Sequence, residues 1–168
     1  MAKQVSALAA AFRRIAATRM AGLPMNHPDL AVDTVAFRPW QGKQVGVLIL
    51  PWAINLVLLP DTDETFRPLR ADARRCWCFP SGDYDFMGGS EIECGPYHFC
   101  SLLSPVPSDE IAGPAAAFEF ATQAMAELFR DARNQAAQDA REQARLGGRS
   151  VLASPVSRRG FLLGGRAG

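Results

Sequence analysis

Histidine, lysine and the common catalytic signatures are all scarce in this chain. Its 168 residues include two histidines, His27 and His98, and lysine occurs only at Lys3 and Lys43. No nucleophile elbow, P-loop, dinucleotide fingerprint or zincin helix occurs, which argues against the enzyme classes that depend on them. His27 stands in NHPDL (26–30), just before a proline, where capping a turn is the plainer role. Long apolar runs are missing as well. The longest, VGVLILPWAINLVLLP (45–60), is broken by Gly46, Pro51 and Asn55, and it falls short of the roughly 20 residues a membrane span needs. It therefore reads as core, and no membrane insertion is expected. A net charge of +1 leaves no general attraction for nucleic acid or anionic lipid. Near the N-terminus, Arg13, Arg14 and Arg19 interrupt what would have to be the apolar core of a secretory signal. A cytoplasmic protein is expected, its four cysteines reduced and forming no disulfide framework, with no cofactor.

What is present is clear periodicity. Val5, Leu8, Ala9, Phe12, Ile15, Ala16 and Met20 recur at helical spacing, predicting an amphipathic first helix over about 4–20. A strand is expected near 31–37, followed by two β-rich runs, QVGVLIL (44–50) and INLVLLP (54–60). Pro51 between them demands a turn, a bulge or an edge. After a polar loop at 61–75, Gly88-Gly89 marks a hairpin and YHFCSLL a further strand. Connections this short predict an antiparallel sheet. Gly113-Pro114 suits a helix entry, and Phe118, Ala121, Met125, Leu128 and Phe129 form an apolar face. The expected fold is α+β: a two-layer sandwich in which an antiparallel sheet of about five strands carries the N- and C-terminal helices on one face. Residues 1–129 would form the single domain, 130–146 a polar helical extension, and 147–168 a flexible basic tail.

Three constellations could carry chemistry. Cys94, His98 and Cys100 have even spacing and would share one face of a continuous strand, with Cys76 and Cys78 sharing another. Against a metal site, the C-x-x-C pairs of zinc ribbons are absent and Gly95-Pro96 interrupts the strand. Second, a three-residue loop at Gly88-Gly89-Ser90 would place Phe86 opposite Ile92 and Tyr84 opposite Cys94, gathering Asp83, Asp85, Glu91 and Glu93 outside. A two-residue loop would dissolve that cluster. The segment 61–93 holds eight of the seventeen acidic residues. Third, SRRGFLLGG (157–165) reads like the S-R-R-x-F-L core of a twin-arginine export signal. Only seven residues follow Phe161, too few for the apolar run such a signal needs, so the motif is coincidence or mimicry.

Taken in order, HP at 27–28, Trp40-x-Gly42, the Pro51-Trp52 step leading to Pro60, RPLR (67–70), FPSGDYDF (79–86), CSLLSP (100–105) and the terminal SRRGFLLGGR resemble the HybE/HupJ-type [NiFe]-hydrogenase assembly chaperones. The resemblance implies a small α+β sandwich similar to type III secretion chaperones, and a non-enzymatic accessory protein of the bacterial cytoplasm. It further implies association with hydrogenase precursor subunits and other maturation proteins. The small subunit, with its iron–sulfur clusters and twin-arginine signal, must not be exported before assembly is complete. On this reading Trp40, Trp52, Asp83, Asp85, Glu91 and Glu93 are the candidate partner-binding residues, joined by Arg158, Arg159 and Phe161 of the tail. The alternative is a metal- or thiol-redox module that uses Cys94, His98 and Cys100 to deliver or protect an iron–sulfur cluster. A homodimer is compatible with either.

Overall fold

The structure, a computed structural model, describes residues 2–147; Arg158, Arg159 and Phe161 lie outside the described residues. Along the chain run α1 (Ala2–Ala17), β1 (Asp33–Trp40), β2 (Lys43–Leu50), β3 (Ala53–Pro60), β4 (Arg74–Phe79), β5 (Gly82–Glu91), β6 (Gly95–Leu103), α2 (Pro114–Leu128) and α3 (Ala132–Gly147). The six strands form one sheet in the order β1-β2-β3-β6-β5-β4, with every neighbouring pair antiparallel. Two three-stranded meanders are thus joined where β3 pairs β6, leaving β1 and β4 as the edges. Pro51 and Trp52 form the two-residue turn between Leu50 and Ala53, so the proline falls where it need not donate to the ladder.

The α+β class and the antiparallel sheet are as the sequence predicts, with six strands rather than about five. The placing of both helices on one face needs correction. Val45, Val47, Ile49, Ile54, Leu56 and Leu58 point into a cluster with Ala117, Ala121, Met125 and Leu128 of α2. Leu48, Leu50, Val57 and Leu59 point the other way, against Leu8, Phe12 and Ile15 of α1. The physical reason is visible in β2 and β3, which are buried at nearly every position. A strand apolar on both sides requires cover on both sides, so one helix lies on each face. α1 ends where Thr18 Oγ1 bonds back to the Arg14 carbonyl at 2.7 Å and Gly22 adopts a φ of 70°. α3 buries no residue.

The sheet is strongly curled. Flat, its five inter-strand spacings of about 4.8 Å would separate β1 from β4 by about 24 Å. Yet Trp40 of β1 stacks on Phe79 of β4 with ring centroids 4.2 Å apart, and meets Trp77 edge-on at 6.2 Å. The curl is toward the α2 side, where the aromatic seam bridges the two edges.

The hairpin expected at Gly88-Gly89 is also corrected. Both glycines lie inside β5, where Gly88 pairs with His98 and Gly89 with Tyr97, and the turn falls instead at Ile92-Glu93-Cys94. Gly95 closes that turn with a φ of 71°. Phe86 therefore does not face Ile92, nor Tyr84 Cys94. Gly88 and Gly89 are there for close approach: a Cβ on Gly88 would collide with the backbone of Leu69, and one on Gly89 with the Tyr97 ring. The segment before β4 lies over the first; an aromatic ring covers the second. Gly88→Ala should accordingly lower the unfolding free energy by about 1–3 kcal/mol. Ser90→Ala, at an exposed position of the same strand, should stay within about 0.5 kcal/mol. Urea titration of the two variants reads the difference; equal stabilities would contradict this placement of Gly88.

Candidate functional site

The four carboxylates that were to share one surface are divided. Glu91 and Glu93 flank the β5–β6 turn, where α1 reaches them. Arg14 Nη2 donates to Glu91 Oε2 and Glu93 Oε2 at 3.1 Å each, Arg14 Nε also bonds Glu93, and Arg19 Nη2 donates to Glu91 Oε1 at 2.8 Å. The Arg14 hydrogen bond holds the Glu93 carboxyl below its usual range. These two carboxylates are occupied by the chain's own arginines and fasten the end of α1 to the sheet. Asp83 and Asp85 sit at the other end of β5, opposite Cys78 and Cys76. Six residue steps along the strand, about 20 Å, separate Asp85 from Glu91. Among the described residues Asp83 and Asp85 have no ion-pair partner.

Trp40 and Trp52 do not form one apolar surface. Trp40 lies opposite Lys43 at the start of β2, half-buried in the aromatic seam on the α2 side. Trp52 follows Leu50 at the far end of β2 and packs against the α1-side cluster. They occupy opposite ends and opposite faces.

Cys94, His98 and Cys100 do not converge either. His98 and Cys100 do share the α2-side face, but Cys94 belongs to the turn before Gly95 and packs on the α1 side. His98 is fully buried, and both ring nitrogens are committed. Trp77 Nε1 donates to Nδ1 at 3.1 Å, so Nε2 carries the proton and donates to the Arg67 carbonyl at 2.8 Å. Phe66 stacks on the ring at 4.2 Å. Burial pushes the Cys100 thiol up to about 11, keeping it neutral. The candidate metal trio is therefore a turn cysteine, a structural histidine and a core thiol. His27 is structural in the same way: Nδ1 accepts from the Asp29 N–H at 3.1 Å, and Nε2 donates to the Ile111 carbonyl at 2.6 Å.

The sequence reading missed a buried cation. Lys43 is 3% exposed; its Nζ lies 2.7 Å from Asp63 Oδ2, donates to the Gln41 carbonyl at 2.8 Å, and sits 4.6 Å from the centre of the Trp77 ring. The hydrogen bond from Lys43 holds the Asp63 carboxyl far below its usual range. The available signal was a single lysine at the head of a strand that is apolar from Val45 onward. A lysine buried there needs a carboxylate within reach. The Gly42 carbonyl, which accepts N–H bonds from Asp61, Thr62 and Asp63 at 3.2, 2.9 and 2.9 Å, brings that carboxylate in.

Among the described residues, three features of β4, β5 and α2 face solvent. Edge strand β4 is paired on one side only. Cys76, Cys78, Asp83 and Asp85 are exposed on its outer face and that of β5, and the ligand atoms of Cys76, Cys78 and Asp83 all lie within 4.8 Å of one another. On α2, Phe118 is 55% exposed beside a shallow depression of about 460 Å³ shared with Glu119, Thr122, Gln123 and Ala126. Among the described residues no helix is long and apolar enough to cross a membrane.

A family model described as "[NiFe]-hydrogenase assembly, chaperone, HybE" matches residues 3–164. "Probable rubredoxin HupJ" of Rhodobacter capsulatus is 37% identical over 136 residues, which cover 81% of this chain and 48% of that protein; the chain spans about half the length of this relative. "Hydrogenase expression/formation protein HupJ" of Bradyrhizobium diazoefficiens is 34% identical over 157 residues, covering 94% of this chain and 85% of that one. The solution structure of HybE from Escherichia coli has the same fold, with a TM-score of 0.61 at 21% identity over 99% of this chain and 92% of that one.

The buried imidazole makes stability depend on pH. Burial holds His98 below its ordinary titration range, opposed by its bond to the Arg67 carbonyl and reinforced by the charges of Arg75 and Lys43. The unfolded chain then binds the proton more readily than the folded one. Stability should fall as pH drops through about 6.5, the ordinary histidine value, toward the lowered folded value. Urea midpoints at pH 7.5 and 5.5 should show this loss, and His98→Gln, less stable throughout, should show less of it. A wild-type midpoint that does not move would refute this role for His98.

Proposed function

The chain belongs to the HybE family of [NiFe]-hydrogenase assembly chaperones, and from that premise we propose that it binds a hydrogenase precursor in the cytoplasm and delays its export. The client in this reading is the small subunit with its twin-arginine signal, held until cofactor assembly is complete. The role is one of binding, not catalysis: both histidines are committed to structural hydrogen bonds.

The observation that carries this reading is the state of the two sheet edges. β1 is guarded by an irregularity between Val35 and Arg38 and by Pro39, devices that keep an edge from pairing. β4 has neither; its six residues pair with β5 in unbroken register, and among the described residues no strand pairs with its other side. An extended peptide adds to such an edge through main-chain hydrogen bonds. Asp83 and Asp85, one strand in, supply carboxylates to which a pair of guanidinium groups can bond. A signal peptide that is both extended and doubly basic matches this pairing of edge and charge. In the same reading the chain's own SRRGFLLGG (157–165) either competes for that edge or docks on the partner.

Capture of purified precursor, with and without its signal sequence, tests the proposal. The wild-type chain should retain the full precursor and lose the truncated one. Asp83→Asn/Asp85→Asn should weaken capture about tenfold or more, the equivalent of a lost charge-assisted hydrogen bond. Glu91→Gln/Glu93→Gln, which alters carboxylates already engaged by Arg14 and Arg19, should leave capture intact. Equal capture by the Asp83/Asp85 variant would remove this face from the mechanism. Deleting 157–168 should tighten capture if the tail competes and weaken it if the tail docks.

A further inference from the structure

Cys76 and Cys78 are two residues apart on β4, so their side chains share a face. The β4–β5 register sets Cys78 directly opposite Asp83. The turn between these strands is only Pro80-Ser81, because Phe79 pairs with Gly82. Both thiols and the carboxylate are exposed, on the outer side of the sheet where the described residues provide no covering helix. Their ligand atoms lie within 4.8 Å of one another. In a tetrahedral zinc site, with Zn–S near 2.3 Å and Zn–O near 2.1 Å, neighbouring ligand atoms stand about 3.5 Å apart. The three groups are thus about an ångström from closing on an ion, a distance that side-chain rotation covers.

We propose that Cys76, Cys78 and Asp83 form a surface site for a divalent cation of the zinc class, with two thiolates and one carboxylate as ligands and the fourth position open to solvent or to a ligand from a partner. The donor set selects the ion. Thiolates disfavour calcium and magnesium, which take oxygen ligands, whereas two sulfurs and an oxygen suit Zn²⁺. The local electrostatics agree with the geometry. Asp83 stands directly opposite Cys78 and its carboxylate lies within 4.8 Å of both thiol sulfurs, so the three groups crowd one another. Crowded anionic ligands of this kind hold protons in the absence of a cation and give them up to one that binds. Asp85, opposite Cys76 on the same face, adds negative charge beside the site. Three protein ligands with one position free is the pattern of an exchangeable ion, unlike the four-ligand closure of a structural zinc. The site does not depend on the chaperone reading, and its test requires no precursor.

The full-length protein, reduced with a phosphine and stripped with chelator, would be titrated with Co²⁺ as a spectroscopic stand-in. The expected result is a thiolate-to-cobalt charge-transfer band and the visible d–d bands of tetrahedral coordination, saturating at one ion per chain and displaced by one equivalent of Zn²⁺. Cys76→Ser and Cys78→Ser should each abolish the charge-transfer band or cut it to a small fraction, and Asp83→Asn should weaken binding at least tenfold. Cys94→Ser/Cys100→Ser should leave the spectrum unchanged, excluding the other two thiols. All three positions of the site variants are solvent-facing, and circular dichroism would confirm that each variant, the Cys94→Ser/Cys100→Ser control included, is folded. The proposal fails if no saturable band appears, if the band survives Cys76→Ser/Cys78→Ser, or if it disappears with Cys94→Ser/Cys100→Ser.

Discussion

The contact on which the rest of this structure depends is the stack of Trp40 on Phe79. It joins residues of the two edge strands, 4.2 Å apart across what would be the width of a flat six-stranded sheet. A sheet curled that far has unequal faces. The inner one gathers Val45, Leu56, Trp77, Phe86 and the apolar side of α2 into the larger core, where aromatic rings meet edge to face and stacked. Polar groups caught inside that curl have no water to turn to, and an unpaired one would be costly. Lys43 meets this with Asp63 and the Gln41 carbonyl, and His98 with Trp77 and Arg67. Both solutions draw on the 61–70 connection, so the loop between the two meanders serves as part of the core wall.

The outer face is only partly covered. α1 packs over the β1–β2 side and Tyr97, and its last turn is held by Arg14 bridging Glu91 and Glu93. Exposed ion pairs of this sort add little stability. Their consequence is positional: they fix where the helix ends, and they remove two of the chain's carboxylates from the surface available to others. Beyond that point no helix among the described residues covers the outer side of β4 and β5, where Cys76, Cys78, Asp83 and Asp85 are exposed. That is why, among the described residues, Asp83 and Asp85 have no ion-pair partner while Glu91, at the end of the same strand, and Glu93, in the turn after it, do.

Much of this was legible from residues alone. The helical stripe from Val5 to Ile15, the antiparallel sheet implied by short connections and the turn at Pro51-Trp52 each follow from one local cause acting without competition. The family resemblance, carried by short motifs from His27 to Pro105, points the same way as the family match. Errors arose where a local signal has two physical meanings. Gly88-Gly89 is compatible with a tight turn and equally with two close approaches, and only the positions of Leu69 and Tyr97 distinguish them. Moving the turn to Ile92-Glu93-Cys94 changed every cross-strand partner of β5, dissolved the four-carboxylate cluster and put Cys94 on the wrong side of Gly95 for His98 and Cys100. The shared face of Cys76 and Cys78 was readable from their spacing. That Asp83 stands opposite Cys78 was not, because it depends on the two-residue turn at Pro80-Ser81. The predominantly apolar character of β2 and β3 on both sides did carry the two-sided cover of the sheet, but helical periodicity says which residues face the core and not which face of the sheet they meet.

The interior also constrains how such a protein can engage another. His98, Lys43 and the aromatic seam fill the concave side, and α2 closes against it through Leu128, whose carbonyl accepts the Ser81 N–H at 3.2 Å. Reaching the inner aromatic residues would require separating Trp40 from Phe79. On the proposed reading, binding is left to the periphery, where the two edges are not equivalent. Pairing on β1 must contend with a left-handed Ala36 and a proline, whereas β4 offers an uninterrupted backbone next to a stretch of sheet face on which, among the described residues, no helix packs. Edge, unpaired carboxylates and the Cys76–Cys78 thiols coincide there because one curl, set by one aromatic stack, determines which part of the sheet is enclosed and which is not.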